Sequence, residues 1–214
     1  KEKEEREAAK PKSRFLWCLD NGHGKDQAGK RSPFFTLNGK KVQLLEYKFN
    51  RDIVERIMLA LDQHGISYFD VVPDYEEVGS FLKGRVERAN KKTSGLPKIY
   101  VSVHANAGPR SHGDWTSASG IETWYHSRNG AKIAAIFQFH LIRQLPKWKN
   151  RHLKSTSERG VYVLKHTNMP SILTENGFYN NRSEVKELMK DSVRQKIADA
   201  HVNAILQIEK HGYR

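Results

Sequence analysis

Four short segments carry side chains of the types that gather around one metal ion. They are Asp20-Asn21-Gly22-His23-Gly24, Leu44-Leu45-Glu46-Tyr47, Ser102-Val103-His104-Ala105-Asn106 and Thr174-Glu175-Asn176-Gly177-Phe178. Two imidazoles and one carboxylate, here His23, His104 and Glu46, form a recurrent ligand set for catalytic zinc that leaves a fourth position to water. Glu175 is a carboxylate outside that set, and such a centre needs one as general acid and base. Gly22 and Gly24 let the backbone turn sharply beside His23. Asn21, Asn106 and Asn176 are suited to orient ligands or to hold substrate amides. Each segment taken alone also has an ordinary reading, as a polar turn, a salt-bridged helical glutamate or a capping acid. Their chemistry depends on the fold bringing them together.

The elements that must do so can be read from periodicity. The apolar run from Phe15 to Asp20 has the shape of a buried strand, and a Gly- and Lys-rich loop follows over residues 21–40. Leu45, Phe49, Ile53, Ile57 and Leu61 recur every four residues within a helix expected from Val42 to His64, which Gly65 ends. Glu46 lies on a stripe with Asn50, Ile53 and Ile57, beside the face that packs on the sheet, where an unpaired charge costs several kcal/mol. Further strands are expected at Tyr68–Val72, Ile99–Val103, Ile121–Tyr125, Gly160–Leu164 and Ser171–Glu175, with helices at Ser80–Lys92 and Ala131–Leu145. A C-terminal helix carries Val193, Ile197, His201, Ala204 and Ile208 on one stripe. This alternation predicts a single α/β domain: a twisted, mostly parallel sheet of about six strands with helices on both faces. His23, His104 and Glu175 then fall at the C-terminal ends of strands, the edge where open α/β sheets bind ligands.

Composition narrows the class. No apolar run is long enough to span a membrane, and the single cysteine, Cys18, excludes an intrachain disulfide and reads as an inert core thiol. A net charge of +13 favours polyanionic partners, anionic membranes and bacterial wall polymers among them. The basic residues are scattered, and no aromatic interleaving marks a nucleic-acid surface, so nucleic acid is not expected. Residues 1–14 mix both charges and read as a linker or lead-in helix before a domain at 15–214. The chain opens without the apolar segment of a secretory signal. Of the remaining histidines, His201 reads as a packed residue, His64 and His211 suit helix C-termini, and His112 and His166 are the two within reach of a substrate groove.

Read in order, the four segments resemble the zinc-dependent N-acetylmuramoyl-L-alanine amidases, the type-3 cell-wall amidases, over about Phe15 to Ile208. Gly120-Ile121-Glu122-Thr123-Trp124-Tyr125, Val161-Tyr162-Val163-Leu164 with Met169-Pro170, and Arg85 with Arg88-Ala89-Asn90 also look like the family. The resemblance implies one Zn²⁺ held by His23, Glu46 and His104, and Glu175 as the catalytic acid and base. It implies cleavage of the amide between N-acetylmuramic acid and L-alanine, in the periplasm or extracellular wall. Substrate contacts are expected from Asn106, Arg88 and Asn176, peptidoglycan is the expected substrate, and a monomer is expected. Asn21, Lys25 and Asn176 depart from the family pattern without removing a ligand. Some members carry a long helical insertion that blocks the zinc; about 34 residues separate Tyr125 from Gly160 here, so an open site is expected. A zinc peptidase acting within the stem peptide and an inactive wall-binding module are the rival readings.

Overall fold

A computed structural model describes residues 13–108 and 114–213. In chain order the elements are β1 (Leu16–Asn21), β2 (Phe35–Leu37), β3 (Lys40–Val42), α1 (Glu46–His64), β4 (Tyr68–Asp70), α2 (Leu82–Lys91), β5 (Lys98–Asn106) and β6 (Ile121–Tyr125). They continue with α3 (Arg128–Gln144), β7 (Asn150–Ser155), α4 (Tyr162–His166), β8 (Ser171–Phe178), α5 (Glu184–Leu188) and α6 (Asp191–His211). Six strands make one sheet in the order β4-β1-β5-β8-β6-β7. Every pairing in it is parallel except β6 with β8, which is antiparallel. The mostly parallel α/β architecture expected from the sequence is therefore the one observed.

Alternation along the strands sorts the core into two layers. Trp17, Leu19, Ile99, Val101, Val103 and Ile172 pack with apolar residues of α1, α3 and α6. Cys18, Tyr100, Trp124 and Leu173 face the other way, onto Val86 and Ala89 of α2 and onto Val163 and Leu164 of α4. Phe49, Ile53, Ile57 and Leu61 of α1 are fully buried, and at roughly 1.5–3 kcal/mol each they pin that helix to the sheet. Gly65 takes the left-handed conformation that closes α1.

Three expectations need correction. The segment expected as a strand at Gly160–Leu164 is instead followed into a short helix, α4, whose Val163 and Leu164 are buried. The sixth strand is β7, a polar and partly exposed sequence at the sheet's edge. An edge strand buries little, so it lacks the apolar run by which the others are recognised. The expected loop at 21–40 contains β2 and the start of β3, joined at Asn38-Gly39, both with positive φ, as a tight hairpin requires. Val42 accordingly closes a strand, and α1 begins at Glu46.

At the start of the described chain, Ser13 Oγ donates to the Phe15 carbonyl and Arg14 N donates to Glu209 of α6. The rest of the expected linker, residues 1–12, lies outside the described residues, as does His112.

Candidate metal centre

The site grows from sheet register. Asp20 pairs with Ser102 across β1 and β5, His104 with Glu175 across β5 and β8, and Glu175 with Glu122 across β8 and β6. Register partners share a face, so these five polar groups lie on the α2/α4 side near the C-terminal edge of β1, β5 and β8. Glu46 arrives from the other layer, as the first residue of α1. Its placement there suits an acid, because the helix N-terminus carries partial positive charge. Its Oε1 accepts from Ala105 N at 3.3 Å.

His23, Glu46 and His104 each offer one ligand atom, and these atoms lie within 4.8 Å of one another. His23 Nε2 is 3.3 Å and His104 Nδ1 is 3.2 Å from the same Glu46 oxygen. The two imidazoles meet edge to face, 4.7 Å between centroids.

Hydrogen bonds decide which ring nitrogen of each histidine is free. His23 Nδ1 lies 2.6 Å from the amide oxygen of Gln27, which only accepts, so Nδ1 carries the proton and Nε2 keeps its lone pair. Ser102 Oγ donates to Asp20 Oδ2 at 2.5 Å, so it receives the proton of His104 Nε2 at 3.0 Å. His104 Nδ1 is thereby left as a lone-pair donor facing Glu46. Asp20 itself is neutralised by Arg85, a buried guanidinium that also donates to the Asn21 and His23 carbonyls. Burial would raise the Asp20 carboxyl, but Arg85 and Ser102 outweigh it and hold it below its ordinary value.

Burial and the neighbouring His23 keep His104 neutral, with its pKa below the ordinary value. Burial opposes ionisation of Glu46, yet the two imidazoles hold its carboxyl low. Two ring nitrogens and an ionised carboxylate thus converge, the rings holding the carboxylate as a cation would, and the second oxygen of Glu46 is buried without a partner. That donor set fits a divalent cation with nitrogen and oxygen ligands.

Local backbone serves the same end. His23 has φ 65°, a conformation uncommon outside glycine. A β-carbon at Gly22 would lie 2.0 Å from the His104 ring, so glycine is required there for His104 to occupy its position. Asn50, one turn after Glu46, donates to the Gly22 carbonyl at 2.8 Å and clamps this loop to α1.

Beside the cluster is a cleft of about 270 Å³ lined by His23, His104, Glu175, Lys30, Arg159 and Tyr162, among others. Glu175 is buried with one oxygen unpartnered. Burial first, and then the charges of Glu46 and Glu122, push its carboxyl well above the usual range. No α3 residue lines this cleft; α3 packs instead within the α1/α6 layer.

The three residues expected to touch substrate do not line the cleft. Asn106 Nδ2 donates to Glu122 at 3.0 Å, and Asn176 Nδ2 donates to the His104 carbonyl at 2.9 Å. Arg88 forms a two-pronged pair with Glu76. His166 stacks on Tyr162 and bonds its carbonyl. His201 is the packed residue expected, between Thr174 and the Ile197 carbonyl. Cys18 is buried and its thiol is pushed up to about 11, as an inert core thiol should be. Sequence reasoning assigned no role to Ser102 or Gln27. For Ser102 the signal was available, since residues two apart on a strand share a face with His104; for Gln27 there was none.

Comparison with known proteins adds the family. A family model described as N-acetylmuramoyl-L-alanine amidase matches residues 18–207. The chain is 30% identical to the uncharacterized protein YqiI of Bacillus subtilis (strain 168), over 93% of this chain and 87% of that one. It is also 30% identical to N-acetylmuramoyl-L-alanine amidase LytC of the same organism, over 85% of this chain, but spans only 33% of that longer protein. Among solved structures, N-acetylmuramoyl-L-alanine amidase AmiC2 of Nostoc punctiforme superposes with a TM-score of 0.75 at 27% identity, over 94% of this chain and 100% of that one.

Proposed function

This chain belongs to the N-acetylmuramoyl-L-alanine amidase family, and from that premise we propose that it hydrolyses the amide joining N-acetylmuramic acid to L-alanine in peptidoglycan, with one zinc ion held by His23, Glu46 and His104. The observation that carries the reading is the convergence of two imidazole nitrogens and a carboxylate oxygen within 4.8 Å of one another, beside a buried carboxyl that is not one of them. Zinc bound there would supply a Lewis acid that lowers the pKa of water toward ~7 and polarises the amide carbonyl.

The chain's own residues do the rest. Gln27 holds the His23 ring, and Ser102 with Asp20 holds the His104 ring, each with its lone pair presented inward. Glu175 takes a proton from the attacking water and returns it to the departing alanine nitrogen. Burial that raises its carboxyl above the usual range helps it hold the proton between the two halves of that transfer. Among the described residues no helix is long and apolar enough to cross a membrane, and the family supports action at the cell wall. The surplus positive charge favours attraction to anionic wall polymers.

The test is digestion of purified peptidoglycan with and without a chelator, followed by mass spectrometry of the soluble products. An intact stem peptide with a new L-alanine amine, lost with chelator and restored by zinc, is expected. New amines within the stem peptide would instead identify a peptidase.

A further inference from the structure

Two cations at the cleft form no ion pair among the described residues. Lys30 and Arg159 both line it together with Glu175. The third cation lining the cleft, Arg85, is by contrast paired with Asp20. Lys30 and Arg159 are held in position by other means. The Lys30 carbonyl accepts from Glu46 N at 3.0 Å, so its backbone is fastened to the first turn of α1 beside a metal ligand. The Arg159 guanidinium lies over the Trp124 ring, 4.8 Å from its centroid, and Trp124 is itself buried and bonded to Glu122. Each cation is near enough to Glu175 to be felt by its carboxyl.

We propose that Lys30 and Arg159 form a subsite for a free carboxylate on the substrate, close to the scissile amide, so that the enzyme prefers stem peptides whose residue next to the L-alanine is acidic. This rests on the amidase reading and extends it to specificity. A guanidinium and an ammonium with no internal partner are the groups that bind a carboxylate by charge-assisted hydrogen bonds. A carboxamide at the same place would offer one neutral acceptor and bring its own donors toward two cations. Discrimination of about tenfold follows, which is 1.4 kcal/mol. The rival explanation is that the two cations only offset the acids of the metal cluster.

The test uses two synthetic substrates: N-acetylmuramoyl-L-alanine extended by one residue bearing a free carboxylate, and the same compound with that carboxylate as carboxamide. Release of the L-alanine amine by the zinc-loaded protein gives kcat and KM for each. Wild type should favour the acid about tenfold in kcat/KM. In Lys30→Met and Arg159→Met, singly and together, that ratio should fall toward one, through KM for the acid, while Lys30→Arg keeps it. The ratio compares two substrates on one enzyme, so any change in Glu175 or in metal occupancy cancels. Equal rates for both compounds in wild type, or an equal loss on both in the variants, would overturn the carboxylate subsite and leave the amidase reading intact. No amine from either compound would overturn both.

Discussion

Glu122 and Glu175 stand directly opposite one another on the antiparallel β6–β8 pair, yet the protein treats the two carboxylates differently. Glu122 accepts from Arg151 at 2.6 Å, from the Trp124 indole and from Asn106. Glu175 keeps a buried oxygen with no partner and a raised pKa, to which Glu122 contributes. One acid is anchored so that the other is left available. Glu175→Gln should therefore lower turnover by about 10²–10⁴-fold while zinc content, measured by elemental analysis, stays at one ion per chain. Loss of the metal in this variant would mean that Glu175 is a ligand.

Glu122→Gln removes a like charge beside Glu175 and frees Arg151. The pKa of Glu175 should move down, so the acidic limb of the pH–rate profile should shift to lower pH. The catalytic carboxylate must be ionised to accept a proton, and a lower pKa keeps it ionised further into acid. An unmoved or upward-shifted limb would contradict the electrostatic link between the two residues.

Ser102→Ala removes the acceptor that fixes the His104 tautomer. Metal affinity should fall by about 10–100-fold, the usual cost of losing such a partner, as read by competition with a chromophoric chelator. Nitrogen chemical shifts of the His104 ring in the metal-free protein should change from a single tautomer, protonated at Nε2, to a mixture. A variant that loses affinity with the ring nitrogens unchanged would point to distortion of β5 instead.

Gly22→Ala forces the His104 ring from its position, since the added carbon overlaps Cε1 and Nε2. Overpacking of this kind costs about 1–3 kcal/mol, and here the movable part is a metal ligand. The expected result is a protein that folds with a modestly lower Tm and binds zinc poorly. Undiminished affinity would show that the loop yields rather than the ring.

His201 gives a pH dependence with a defined sign. Burial presses its pKa from 6.5 to about 4, with the Ile197 carbonyl opposing. Between those values the unfolded chain binds the proton and the folded chain does not, so stability falls as pH drops through that window. The span corresponds to about 3 kcal/mol. Urea unfolding at pH 7 and pH 4.5 should show a larger loss for wild type than for His201→Gln. Parallel losses would sink the assignment.

The strands that position the site were legible because they are central: β1 and β8 are buried at every position, and burial on both faces writes an apolar run into the sequence. The stripe of Glu46, Asn50, Ile53 and Ile57 was legible for the same reason, as all four are buried. β7 was missed because an edge strand needs no such run, and α4 because Val161-Tyr162-Val163-Leu164 has strand-like residues that bury as a helix against β8 and α2. The metal cluster could be anticipated from residue types, but its tautomers could not. They depend on cross-strand register, Asp20 beside Ser102, which no local pattern records. The substrate-contact expectation for Arg88 came with the family resemblance of its stretch, whereas Glu76, in the loop before that helix, already occupies its guanidinium.

β8 lies between β5 and β6 and is the piece that joins the two halves of the sheet. It is made late: the three candidate metal ligands all precede it, the last of them, His104, by 67 positions. A chain cut short before that strand keeps its imidazoles and Glu46 but lacks both the seam of the sheet and the acid that would turn water into a nucleophile.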